Sequence, residues 1–352
     1  MALVDQRQRK TRFAETMTNK KRWIAVLGLV ISGVFLWIAF RDLKPEAVLA
    51  SIQQANIGWL VTGATVYFLA VTVISLRWRF LLRAIKAIPL PALFSLVTIG
   101  YMGNNVYPFR SGEVLRIMLL QRNHQVPFAK ATTTVIVERV FDGLVMLTFI
   151  LVSLLALDVS SPEVRRVVMF AAPLFLAALA VFLILAARPN ILRRLREIAD
   201  RVLPAPLRKP LSGLVEDVLS GLEGLRSPLD LAGAVISSFV SWGIEAGVYW
   251  LASFAFNLNV SYPAMLLVVG VVNLAGLIPA SPGQIGVFEF FVGTVLVAVG
   301  VDEATATAYA LVVHVVIWLP VTLLGFYFLA RQGLSWQAVT HARELEQPAV
   351  GG

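Results

Sequence analysis

Arg110, Glu113 and Arg116 follow one another at intervals of three in the segment NNVYPFRSGEVLR (Asn104 to Arg116). On a helix, side chains three apart share a face. A guanidinium presents a planar fork that grips phosphate through two oxygens. An arginine at a chain break near a helix N-terminus is a sensible anchor for a lipid phosphate. The plainer reading is that Arg110 and Arg116 snorkel to headgroups and pair with Glu113. The next apolar run carries Glu138, Arg139 and Asp142, with Glu138 and Asp142 on one face. Each ionisable side chain inside a bilayer costs about 2.5–3.5 kcal/mol on insertion scales, so these three should turn to a cavity or a partner. They either pair among themselves or complete a polar cavity with Arg110. Further along stand Glu245, Glu289 and His314. Glu245 and His314 are candidates for carrying a proton, since imidazole titrates in the right range; a lone His in a span serves equally well as a packing residue.

The elements that must position these groups are unusual. A second segment, NLAGLIPASPGQIGVFE (Asn273 to Glu289), repeats the plan of the first: an Asn, then a Pro, then a Gly with a Glu close behind. Each segment sits between hydrophobic stretches about 17 residues long, where a membrane helix would run straight through. Pro and Gly free backbone groups and allow close approach. Paired broken segments at corresponding positions of two halves point to the substrate site of a transporter. The candidate substrate-binding set is therefore Asn104, Asn105, Arg110, Glu113, Arg116, Glu138, Arg139, Asp142, Asn273, Ser281, Gly283 and Glu289.

Composition makes this a membrane protein. Hydrophobic residues are 58% of the chain and charged residues 14%, against about 25% charged in a soluble domain; mean hydropathy is +0.78. Apolar runs recur at 23–40, 57–76, 91–107, 131–157, 166–187, 229–256, 263–279, 284–300 and 304–330. The absence of cysteine excludes disulfides and thiolate metal sites. The net charge of +9 is spread beside the apolar runs, which suits anionic phospholipid at the cytoplasmic face and argues against nucleic acid. The first run begins at Trp23, is long, and has no small-residue cleavage site, so it is expected to be a span and not a signal peptide. The chain has no HExxH, Walker loop, Rossmann fingerprint or GxSxG. With only three His, no metal or other cofactor is expected. The balance of motifs is against an enzyme.

Charge placement predicts orientation. Residues 7–22 hold seven Lys/Arg against Glu15 and should be cytoplasmic. The loop 41–56 suits the outside, and 77–86, with Arg77, Arg79, Arg83 and Lys86, the inside. The stretch 91–121 then begins and ends inside, and 263–303 begins and ends outside. The expected fold is an all-α polytopic membrane protein with about six full transmembrane helices and two re-entrant hairpins in an inverted-repeat arrangement. A basic cytoplasmic N-terminus (1–22) precedes one transmembrane domain (23–332) and a cytoplasmic tail (333–352). Its halves, 57–187 and 229–331, are joined by an amphipathic cytoplasmic linker at 188–228, and the run 23–40 stands outside the repeat.

NNVYPFRSGEVLR, the downstream VIVERVFDG, and PASPGQIGVFE together resemble the motifs of the lysylphosphatidylglycerol synthase transmembrane (flippase-like) family, across roughly residues 20–332. Its best-known member contributes the membrane half of the multiple peptide resistance factor. The resemblance implies a prokaryotic inner-membrane protein that moves lipids with modified headgroups between leaflets. It assigns the polar pathway to Asn104, Arg110, Glu113, Arg116, Glu138, Arg139, Asp142, Pro282, Gly283 and Glu289. Nothing like the soluble aminoacyl-transferase domain follows Arg331, so synthesis of lysyl-phosphatidylglycerol is not expected. The rival expectation is a membrane-embedded transferase, or its accessory subunit, acting on a phospholipid or lipid-linked sugar. The partner is a membrane lipid in either case, and a homo-oligomer is left open.

Overall fold

The computed structural model describes residues 26, 30–38, 45–107, 111–157, 191, 194, 197, 227–276 and 281–332. Among these residues the regular structure is helical throughout, with no strand. A helical stretch at 30–38 and the short helix α1 (Pro45–Gln53) lead into α2 (Ile57–Leu82), α3 (Leu90–Val106), α4 (Gly112–His124) and α5 (Phe128–Ala156). After residue 227 come α6 (Pro228–Ala255), α7 (Tyr262–Ala275), the 3-10 turn Pro282–Gln284, α8 (Val287–Ala298) and α9 (Glu303–Arg331). The expected span at 23–40 is described only in part. The run 166–187 lies outside the described residues, as does all of the linker 188–228 except 191, 194, 197 and its last two residues.

Local chemistry sets these boundaries. Asn56 opens α2, its side chain accepting the Gly58 N–H at 2.9 Å, and Asp302 opens α9 by accepting from Thr305 N–H at 3.1 Å. Inside the apolar helices, hydroxyls return to carbonyls one turn back, as at Thr62, Thr65, Thr72 and Ser75. That satisfies each polar atom without water. Helices α2, α6 and α9 are long and apolar enough to cross a membrane. Helix α5 is as long, with 29 residues, but carries Glu138, Arg139 and Asp142.

The two halves present the same order of elements: a long helix, a pair of short helices separated by a break, and a second long helix. The short pairs have 17 and 13 residues in the first half and 14 and 12 in the second, each below the roughly 20 that cross a bilayer. The leading helices run antiparallel. Gly63 of α2 lies against Val248 of α6, while Gly233 near the start of α6 meets the Phe80 ring near the end of α2. The halves also interlock: Gly325 of α9 packs on Met102 of α3, and Gly270 of α7 packs on Ile150 of α5. Two apolar cores result. One gathers Trp78, Leu93, Ile99, Met102, Leu120 and Phe141; the other gathers Tyr249, Met265, Val269, Val292, Leu296 and Tyr309.

One expectation needs correction. The apolar run of α2 does not give way to a cytoplasmic loop at residue 77. The helix continues to Leu82, and Arg77, Trp78, Leu81 and Leu82 are all buried. The first helical stretch packs on the second half. Phe35 meets the rings of Phe290 and Phe291 at 5.0 and 5.8 Å, and Ser32 Oγ accepts the Ser281 N–H at 2.8 Å.

The hairpin of α3 and α4 closes on glycines. A Cβ on Gly112 would overlap the Gly100 carbonyl oxygen and lie 2.5 Å from the Asn104 nitrogen. Gly112→Ala should therefore destabilise the protein by about 1–3 kcal/mol, the usual cost of overpacking. Gly143 in α5 has nothing within 4 Å of that position, so Gly143→Ala should be neutral or slightly stabilising. Thermal unfolding of the two variants in detergent checks the contrast.

Candidate functional site

Four helices converge on a cluster of charges. Arg77 of α2 donates to Asp142 Oδ1 at 2.5 Å and lies 3.5 Å from Glu138 Oε1, both on α5. Arg116 of α4 takes the other Glu138 oxygen. Trp242 of α6 donates to Asp142 Oδ1 at 2.7 Å, and Ser238 lies 3.5 Å from Arg77. Arg139 pairs with Glu113 at 3.5 Å and with Asp142 Oδ2 at 3.3 Å. Among the described residues three cations and three anions thus balance. The balance is required, because a charge removed from water without a partner is strongly disfavoured.

Exposure divides the cluster. Arg77 is 1% exposed and Glu138 0%. The Arg116 side chain is 6% exposed, with its guanidinium 4.6 Å above the Trp78 ring. That ring is itself held by a Trp78 Nε1 bond to Thr134 at 3.0 Å. The Arg116 stem crosses Gly100, where a Cβ would come within 3.1 Å of it. Arg139 differs: its side chain is 41% exposed and its two ion pairs are long. Arg77 and Arg116 are thus enclosed by their counter-ions, whereas Arg139 is partly exposed.

The two breaks meet on α9. Asn105, at the end of α3, donates to Thr322 Oγ1 at 2.8 Å and faces the Trp318 carbonyl at 3.5 Å. Gly283 occupies the left-handed region at φ 69°, and a Cβ there would lie 2.7 Å from Trp318 Nε1 and 3.4 Å from the Asn105 carbonyl oxygen. Gly286, at φ 91°, starts α8. Glu289 reaches back to the Gly286 N–H at 2.6 Å, an N-cap interaction, and its other oxygen is joined to His314 Nδ1 at 2.6 Å. The His314 ring stacks on Phe288 with centroids 4.2 Å apart. Asn273 donates to the Val269 carbonyl one turn back. Asn104 Oδ1 is buried with no hydrogen-bond partner among the described residues.

The structure therefore brings Glu113, Arg116, Glu138, Arg139 and Asp142 together. It sets Asn105 beside Gly283, Ser281 against Ser32, and Glu289 against His314. Arg110 and Pro279 lie outside the described residues. Glu113 and Arg116 share a helix but pair with α5 instead of with each other. Sequence reasoning missed Arg77 and Trp242. The available signal was Arg77's place directly after the apolar run of α2, followed by Trp78 and, beyond Arg79, by Phe80, Leu81 and Leu82.

Glu138 is the counter-ion of two buried arginines. Glu138→Ala leaves both uncompensated and should cost about 3–5 kcal/mol, whereas Arg139→Ala, at an exposed pair, should cost about 1 kcal/mol or less. Unfolding of both variants in detergent measures the difference.

Comparison with known proteins identifies related membrane chains. The lysylphosphatidylglycerol synthase TM region family matches residues 25–325. A UPF0104 membrane protein of Methanothermobacter thermautotrophicus is 26% identical, over 89% of this chain and 94% of its own. Another UPF0104 membrane protein, from Pyrococcus horikoshii, is 20% identical over 90% and 98%. Glycosyltransferase AglD of Haloferax volcanii is 24% identical over 84% of this chain, which spans only 52% of that protein's length. With buried charges set among apolar helices and a match over most of its length, this multi-pass membrane chain belongs to the lysylphosphatidylglycerol synthase transmembrane-region family.

Proposed function

We propose that this protein moves a phosphate-bearing lipid between the leaflets of a prokaryotic inner membrane. The headgroup passes through the polar cluster while the acyl chains stay in the bilayer. The observation that carries this reading is the division of the cluster: Arg77 and Arg116 are sequestered by Glu138 and Asp142, while Arg139 is 41% exposed and loosely held. A phosphate can take Arg139 by displacing Glu113, which sits in the first turn of α4 beside the break. The short helix pairs are re-entrant hairpins in this reading, and the halves are inverted repeats. The shared order of elements and the antiparallel α2 and α6 support that. Six full spans follow, with both termini in the cytoplasm.

Reconstitution tests it. Purified protein in phosphatidylcholine vesicles doped with fluorescent phosphatidylglycerol, or with a polyprenyl-phosphate sugar, should accelerate flip-flop at least tenfold over empty vesicles. Arg139→Ala should lose most of that acceleration and Arg139→Lys only part, since Lys keeps the charge and loses the fork. No acceleration with any such lipid overturns the reading. The similarity to a protein named as a glycosyltransferase supports a second reading, in which the cluster steadies the phosphate of a lipid-linked sugar for a transferase. Product formed from lipid and activated sugar by this chain alone would favour it.

A further inference from the structure

Glu245, midway along α6, falls outside the charge balance just described. It is 6% exposed, and among the described residues no hydrogen bond or ion pair reaches its carboxylate. Both of its helical flanks are occupied: Val248 belongs to the first apolar core and Ala246 and Tyr249 to the second. The groups that act on it come from several helices. Tyr67 of α2, Tyr101 of α3 and Tyr249 of its own helix lie within electrostatic reach. So does Asp142 of α5, the carboxylate already shared by Arg77, Arg139 and Trp242. Arg77 and Arg139 also act on Tyr101. From α9, Tyr309 acts on Tyr249 but spends its hydroxyl on the Tyr249 carbonyl at 2.6 Å. From α7, the Tyr262 hydroxyl is spent on the Gly243 carbonyl at 2.7 Å. The other candidate proton carrier, His314, is committed to Glu289.

We propose that Glu245 holds the proton that accompanies an anionic headgroup at Arg139, so that lipid movement by this protein is proton-coupled. The inference rests on the reading of Arg139 as the phosphate contact. Among the described residues the three arginines are matched by Glu113, Glu138 and Asp142. An ionised Glu245 therefore leaves the cluster with one surplus negative charge, and a phosphate diester would make it two. A protonated Glu245 leaves the cluster neutral and ready for one anion. Proton and phosphate thus favour each other's binding, and the coupling is reciprocal. The proton comes from water on the side where the headgroup enters and returns to water where it leaves. The carboxyl O–H forms as a hydronium O–H breaks on the entry side, and the reverse exchange occurs on the exit side.

Two measurements test it on the purified full chain. Infrared difference spectra of the protein against Glu245→Gln should show a protonated-carboxyl band that vanishes as pH rises and survives to higher pH when phosphatidylglycerol is added. A carboxylate that is ionised throughout, or a band indifferent to lipid, overturns the proposal. If Glu245→Gln does not fold, Glu245→Asp supplies the assignment by shifting the band. In phosphatidylcholine vesicles with fluorescent phosphatidylglycerol, the flip rate should fall by up to about tenfold per pH unit above the Glu245 titration. Glu245→Gln should flatten that slope. Rapid flipping with no such slope removes proton coupling and leaves the transport reading intact. A lipid-dependent carboxyl band without flipping keeps the linkage and removes transport.

Discussion

A guanidinium deprived of water must find its counter-charges in the protein, and Arg77 finds two on one helix. Its bonds to Glu138 and Asp142 tie α2 to α5. The remaining oxygens of those carboxylates are taken by Arg116 of α4 and Arg139 of α5, and Trp242 of α6 shares Asp142. Four helices are thus fixed around six charges. Removing Arg77 or Glu138 strands a buried partner in a low-dielectric interior, so this part of the arrangement is strongly cooperative. The apolar cores on either side could be built in many ways; the ionic cluster admits few.

Small residues then decide how closely the backbone can approach the cluster. Gly100 lets the Arg116 stem pass between α3 and α4, and Gly112 lets the two short helices touch. Gly283 and Gly286 adopt positive φ where the second break turns toward α9 and into α8. Glu289 illustrates how a single charge can serve the fold: it caps α8 and fixes His314 in the same gesture. The reciprocal packing of α9 on α3 and of α5 on α7 makes each half the lid of the other's hairpin. Relative motion of the halves would act directly on both breaks.

The functional reading follows from inequality among like residues. Three arginines share one cluster, yet two are walled in by carboxylates and an indole ring while the third faces outward on long ion pairs. A binding site for an anion needs a cation that is held in place but incompletely satisfied. The proposed reading gives that part to Arg139 and not to Arg116.

The sequence by itself determined the helical membrane class, the two Gly- and Pro-rich interruptions, and the improbable charges of α5. Periodicity and hydropathy act over one or two turns, and all three signals lie within that range. What only the tertiary structure decided was pairing. Glu113 and Arg116 are neighbours on α4, and spacing suggested that they meet; in the fold they part, each to a different residue of α5. Arg77 sat at the edge of an apolar run and passed for a cytoplasmic loop residue. Helix continuation and partners 61 and 65 positions away in the chain (Glu138 and Asp142) made it the centre of the cluster. The contact of Ser32 and Phe35 with the second break is likewise a product of the fold alone. Ion pairs in a membrane protein are chosen by which helix faces close together, and no local pattern encodes that.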